Sequence, residues 1–283
     1  MNPFGKFVSE YARLFQAGKK LPLGRPRHFP RRPPAAADAP KALIFSPHPD
    51  DECLVGGLAL RLLREAKWKV INVAVTLGSK PERRAARLRE VKDACDWLGF
   101  DLALAHRVDI QPVTRQANQI YWRKTVKNFA RLLRLTRPRL IFIPHEGDHH
   151  PTHIGTHLLV MDALQTLPPA FRCLVVETEF WAPLAEPNLL VESSAADVAD
   201  LMTALACHAG EVRRNPYHAR LPAWLMDNVR RGAEQVGSRG GAAPDFTFAT
   251  IYRLRRWSRG RLTEVLKGGK FLGARANPAG LFP

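Results

Sequence analysis

The chain is poor in cysteine, with four in 283 residues. Cys53, Cys95, Cys173 and Cys207 lie far apart and form no Cys-x-x-Cys pair. That spacing excludes a disulfide framework and leaves reduced thiols in apolar or amphipathic segments. Long hydrophobic runs are also missing. No window reaches the roughly 18–20 apolar residues needed to span a bilayer. The N-terminus has no apolar run of seven or more before a small-residue cleavage site, so no secretory signal is read and a cytoplasmic location is expected. No GxGxxG, Walker A or serine-elbow motif is present. Acidic residues are scarce: 26 Asp and Glu face 43 Lys and Arg, a formal charge of +17. Such an excess raises nucleic acid, an anionic membrane surface or an acidic substrate as partners.

The distribution of charge narrows those options. Residues 1–41 hold nine Lys/Arg and two acids, and residues 253–283 hold eight and one. The central 42–252 carries 26 basic and 23 acidic residues and is nearly balanced. With 46% hydrophobic residues, the chain has ample material for a core and is not a disordered polymer. The first twenty residues space Phe4, Phe7, Tyr11, Leu14 and Phe15 on one side of a short helix. Six prolines between Pro22 and Pro40 then mark an extended arm. The expected organisation is a basic arm (1–41), one catalytic domain (42–252) and a basic tail (253–283).

Within the central region, strand and helix patterns alternate. Strands are predicted at 42–47, 70–77, 102–106, Leu140–Pro144 and 173–180. Helices are predicted at 53–66, 81–98 (ending at Gly99), 117–136 and 151–166. Further helices at 194–213 and 221–231 lead through a Gly-rich turn (Gly237, Gly240, Gly241) into a last strand at 246–252. This alternation predicts an α/β, Rossmann-like three-layer sandwich with a mainly parallel sheet.

Two clusters carry chemistry. His48-Pro49-Asp50-Asp51-Glu52 follows the first strand, and five histidines lie between His145 and His157 after the strand ending at Pro144. Histidine and aspartate together are a common ligand set for Zn²⁺. In an open parallel sheet the carboxyl ends of strands share one edge, so both clusters are expected to meet there in a metal site. Three adjacent acids repel one another, and a cation would relieve that repulsion. Taken singly, each cluster also reads as a turn, a solvated loop or a helix start complementing its dipole.

The His48–Glu52 element, with His150-Pro151-Thr152-His153 downstream, resembles the PIG-L/LmbE family of zinc-dependent N-deacetylases. Thr76-Leu77-Gly78 resembles the family's Thr-x-Gly turn, and Arg87-Leu88-Arg89-Glu90 its Arg-x-x-Glu helix. The resemblance implies that His48, Asp51 and His153 hold Zn²⁺, Asp50 is the general base, and His150 stabilises the oxyanion or protonates the leaving amine. Thr152 departs from the family's frequent His-Pro-Asp-His without removing an implied ligand. Ala243-Pro244-Asp245-Phe246 is a loose variant of its Ala-Glu-x-Phe. The implied substrate is an N-acetylglucosamine-type sugar or related small acetamide, and the basic ends point to an anionic one or to an anionic surface. His₂Asp also suits Fe²⁺, Mn²⁺ or Co²⁺.

Remaining candidates keep two readings each. Asp148 is placed to orient a ligand histidine. Arg87 contacts substrate or is solvated in its Arg-rich helix. Trp181 stacks on a sugar or is a rim aromatic. His149 supports the site or is simply exposed, His157 orients a ligand or binds metal itself or else is a helix-surface or core residue, and Tyr217, His208 and His218 receive no role. Two other classes stay open: a metal amidase on a non-sugar amide, and a nucleic-acid or membrane-surface binder with a vestigial site. No specific nucleic-acid partner is expected, and a homo-oligomer is left open.

Overall fold

A computed structural model describes residues 2–105, 110–236 and 241–282. After helix α1 (Gly5–Gly18), the chain alternates β1 (Lys41–Ser46), α2 (Asp51–Leu54), α3 (Gly56–Glu65), β2 (Lys69–Ala74), α4 (Arg84–Leu98) and β3 (Asp101–Leu104). It continues with α5 (Pro112–Ala117), α6 (Gln119–Thr136), β4 (Leu140–Pro144), α7 (Pro151–Gln165), β5 (Cys173–Thr178) and β6 (Leu189–Ser193). The last elements are α8 (Ala195–Cys207), α9 (Ala209–Val212), α10 (Tyr217–Gln235), β7 (Phe248–Ser258), β8 (Arg261–Glu264) and β9 (Lys270–Leu272).

The sheet runs β3-β2-β1-β4-β5-β7-β6-β9, with β8 added beside β7. Strands β3 through β5 are mutually parallel, and β7 runs antiparallel to both β5 and β6. Alternate residues of the central strands face opposite layers. Ala42, Ile44, Leu140 and Phe142 pack under α3, α4, α8 and α10, where Leu58, Val91, Leu201 and Leu225 are buried. Leu43, Phe45, Ile141 and Ile143 pack under α6 and α7, where Phe129, Leu133 and Val160 are buried. Because both faces are covered, the central strands read as continuous apolar runs. The result is the expected three-layer α/β sandwich.

Local signals place the helix ends. Gly99 takes φ 82° at the end of α4, a conformation glycine adopts without strain. Ser194 and Asp197 form a reciprocal capping box at the start of α8. The helix expected over 194–213 breaks at His208 into α8 and α9. His106, Gly237 and Gly240 lie outside the described residues.

The tail expected at 253–283 is placed differently. The boundary at 252 falls inside β7, and β8 and β9 complete the sheet. Its charges disguise a strand: Arg253 pairs with Glu186 and Glu264, and Arg255 with Glu177, while Leu254 and Trp257 are buried. Buried Arg61 on α3 donates to the carbonyls of Leu272, Gly273, Ala274 and Ala276, which ties this segment down. The arm 1–41 lies outside the sheet except for Lys41, yet it is fastened. Gly24 N–H donates to Ala206 O at 2.8 Å, and Arg32 donates to the carbonyls of Leu98 and Trp97. Among the described residues, no helix is long and apolar enough to cross a membrane. All four cysteines are buried and unpaired.

Candidate metal centre

The order in which strands are added reverses between β1 and β4: β2 and β3 build outward on one side, β4 and β5 on the other. Such a switch point leaves a crevice at the strands' carboxyl ends. The His48–Glu52 loop leaves β1 there, and the 145–150 loop leaves β4 beside it. Each loop feeds a helix start. His150 caps α7, its Nδ1 accepting the Thr152 N–H at 3.2 Å. That fixes the ring and leaves Nε2 for other partners.

Three side-chain atoms converge. His48 Nδ1 and His153 Nε2 lie 3.2 Å apart, and Asp51 Oδ2 lies 3.6 Å from the first and 3.5 Å from the second. Zinc donors held tetrahedrally at about 2.0–2.1 Å stand roughly 3.3–3.4 Å from one another. This triangle therefore has the size and chemistry of a divalent-cation site. His150 also brings a ring nitrogen within 4.8 Å of donors of His48 and His153. The Asp51 triangle is tighter and supplies a charge that a third imidazole would not.

Charge tells the same story. Burial and the adjacent Asp51 push Asp50 up to about 8. Burial would raise Asp51 too, but His153 and His48 outweigh it and hold it low. Burial opposes protonation of His153, yet Asp51 and Asp148 raise it. Burial, with His48 and His153 nearby, lowers His150. A loop of three acids with one carboxyl forced neutral is short of positive charge, which a bound cation supplies.

Supporting groups set these side chains. Asp148 accepts the backbone N–H of His150 at 2.8 Å and of Trp181 at 3.2 Å, and its Oδ2 stands 3.6 Å from His153 Nδ1. It thus lies on the far side of the His153 ring from the triangle, the place expected of an orienting carboxylate. Asp50 adopts φ 116°, a left-handed conformation uncommon for a side-chain-bearing residue, and its N–H donates to Glu52 Oε2 at 3.0 Å. Arg87 donates to Pro49 O at 2.9 Å and reaches within 3.9 Å of Asp50 Oδ1. Its side chain fills the space a Cβ on Gly78 would need, and the φ of 83° there also favours glycine. Thr76 Oγ1 donates to Pro47 O at 2.8 Å, locking that turn to the His48 loop.

The triangle floors a cavity of about 690 Å³. Trp181 lines it, 59% exposed, its ring 5.7 Å from that of His150. His149 is exposed, and His157 is buried with Nδ1 bonded to Pro144 O. His145 is likewise taken up by a backbone carbonyl, that of Ala182.

Sequence reasoning did not find the rest of the wall. Lys80, Arg83, Arg214 and Tyr217 all line the cavity. It also missed that His208, from the end of α8, donates Nε2–H to Glu52 Oε1 at 2.8 Å in a fully buried pair. Glu52 closes the acidic motif and His208 is a histidine before a helix break. Nothing in their spacing, 156 residues apart, joins them.

Residues 43–164 match the family described as PIG-L: GlcNAc-PI de-N-acetylase. The probable N-acetyl-alpha-D-glucosaminyl L-malate deacetylase 2 of Bacillus cereus is 25% identical over 191 residues, covering 60% of this chain and 82% of that protein. Among solved structures, the N,N'-diacetylchitobiose deacetylase of Pyrococcus horikoshii superposes with a TM-score of 0.56 at 17% identity, over 92% of this chain and 96% of that one. The 4-carboxy-2-hydroxymuconate hydratase of Pseudomonas putida reaches 0.57 at 18% identity, over 80% and 99%. A deacetylase and a hydratase on one fold mean that the reaction must be argued from the site.

Proposed function

We propose that this chain is a metal-dependent hydrolase that removes the acetyl group from an N-acetylglucosamine-type sugar or sugar conjugate. The convergence of His48, Asp51 and His153 within 3.2–3.6 Å, beside Asp50 and His150, carries the reading. Those three residues would hold the cation. Zn²⁺ suits the donor set best, and Fe²⁺, Mn²⁺ or Co²⁺ also fit it. When bound, such a cation supplies a Lewis acid that polarises an amide carbonyl and makes water acidic near neutral pH.

The chain's own groups supply the rest. Asp50 accepts the proton of the attacking water as its oxygen bonds to the acetyl carbon. His150, held by its bond to the Thr152 N–H, offers Nε2 to the oxyanion. The C–N bond then breaks, acetate is released, and the departing nitrogen takes up a proton from Asp50 or His150. Arg87 keeps the Pro49–Asp50 backbone in place through the Pro49 carbonyl. Trp181 presents an exposed ring face on which a sugar stacks. Lys80 on the wall, with Arg83 and Arg214 paired to Glu90 and Glu211 beside it, favours an anionic group on the conjugate.

The test is acetate release across N-acetylglucosamine, its anionic and neutral conjugates, and simple acetamides. Release confined to the sugars supports the reading. Release from non-sugar amides alone makes the chain a general amidase.

A further inference from the structure

The N-terminal helix leaves an apolar surface without a partner. Phe4, Phe7, Val8, Tyr11, Leu14, Phe15 and Gly18 recur at helical spacing along one side of α1. One edge of that side fastens the helix to α10. Tyr11 Oη–H donates to Met226 Sδ at 3.4 Å, Phe15 lies under the Arg220 guanidinium at 4.9 Å, and Gly18 packs on Ala219. The other edge stays open: Phe4 and Phe7 are each 70% exposed, Val8 62% and Leu14 59%. Between the two helices runs a cleft of about 1030 Å³ walled by Met202, Pro222, Trp224, Met226 and Phe248. A contiguous apolar surface of this kind marks a place of interaction.

Charge identifies the partner. On α1 and the two residues that follow it, Lys6, Lys19 and Lys20 form no ion pair with any described residue, whereas Glu10 is taken up by Arg13. The apolar edge is thus bordered by unneutralised cations. A second copy of the chain would bring the same positive charge to the contact and be repelled. A surface apolar inside and anionic outside matches both features. We propose that α1, with the adjoining face of α10, is a docking surface for an anionic bilayer, the aromatic edge entering the headgroup–acyl boundary and the basic residues meeting lipid phosphates. The first turns of α10 connect this surface to the catalytic cavity, since Tyr217 lines the cavity and Ala219 and Arg220 line the cleft. The inference rests on α1 and does not depend on the reaction assigned to the cavity.

Co-sedimentation of the full chain with vesicles tests it. The chain pellets with phosphatidylglycerol–phosphatidylcholine vesicles and stays in the supernatant with phosphatidylcholine alone. Raising the salt to about 0.5 M, where screening shortens to a few ångströms, releases it. The paired substitution Phe7→Asp and Leu14→Asp, at exposed positions, abolishes pelleting while the melting temperature stays at the parent value. Lys19→Glu with Lys20→Glu weakens it severalfold. Failure of the parent chain to pellet at low salt, or equal pelleting of the Phe7→Asp/Leu14→Asp chain, overturns the proposal. So does a concentration-dependent dimer, seen by sedimentation velocity without lipid, that the same pair dissolves.

Discussion

Asp50→Asn separates the cation site from the proton acceptor. Asparagine keeps the shape of the side chain and tolerates the left-handed backbone that Asp50 adopts at φ 116°. The Asp50 N–H bond to Glu52 uses the backbone and survives. Asp50 is not a corner of the His48–Asp51–His153 triangle, so bound metal stays near the parent level. What is lost is a general base, typically 10²–10⁴ in rate, or about 3–5 kcal/mol of barrier. The substitution also changes pH behaviour in the metal-free chain. A carboxyl raised to about 8 stabilises the fold while protonated, fully so below its unfolded value near 3.9, and that stability is lost as pH rises through about 8. At roughly 1.4 kcal/mol per unit, the loss amounts to several kcal/mol. The asparagine chain has no such proton to lose, so its melting temperature falls less between pH 5 and 9. Acetate release, metal content and thermal melting report the three effects. Parent-level turnover would refute the base assignment, and loss of metal with turnover would put Asp50 among the ligands.

Other substitutions probe the neighbours. His153→Ala removes one corner of the triangle, and metal analysis should find the cation lost from the purified chain; stoichiometric metal would exclude His153 as a ligand. His208→Ala leaves Glu52 buried without its partner, a cost of about 3–5 kcal/mol visible as a lower denaturation midpoint. Glu52 outweighs burial to raise His208, so the pair's contribution is full below about 6.5 and lost as pH rises through the raised value. Parent-like alkaline melting in His208→Gln would contradict that pairing. Gly78→Ala places a methyl group against Arg87 at a φ of 83°, costing about 1–3 kcal/mol and raising KM as Arg87 shifts from Pro49. An unchanged KM would free Arg87 of any part in shaping the site.

The central sheet was legible because both faces of β1 and β4 are buried, which writes them as the apolar runs ALIFS and LIFIP. The site's two loops were legible because each directly follows one of these strands, and the switch point does the rest. The strands beyond β5 were legible only in part. β6 is five residues long, and the C-terminal half of β7 carries arginines whose partners, Glu177, Glu186 and Glu264, come from elsewhere in the chain. Pairing of that kind leaves no periodic trace, so a strand read as a charged tail. The cavity wall was hidden for a similar reason. Arg214 and Tyr217 come from a region after α8 that carries no motif, and only tertiary packing brings them to the triangle.

The charge excess also changes meaning once its location is known. Within the C-terminal share, Arg253 and Arg255 are neutralised in the sheet, while Lys6, Lys19 and Lys20 of the N-terminal share belong to an open apolar helix and its end.

The central claim is tested most directly on one preparation of the intact chain. Acetate release from an N-acetylglucosaminide is measured after removal of metal by a chelator and again after stepwise return of Zn²⁺. The account predicts no release from the stripped chain and recovery that saturates at one equivalent of metal. Full release from chain shown to be free of metal would contradict it.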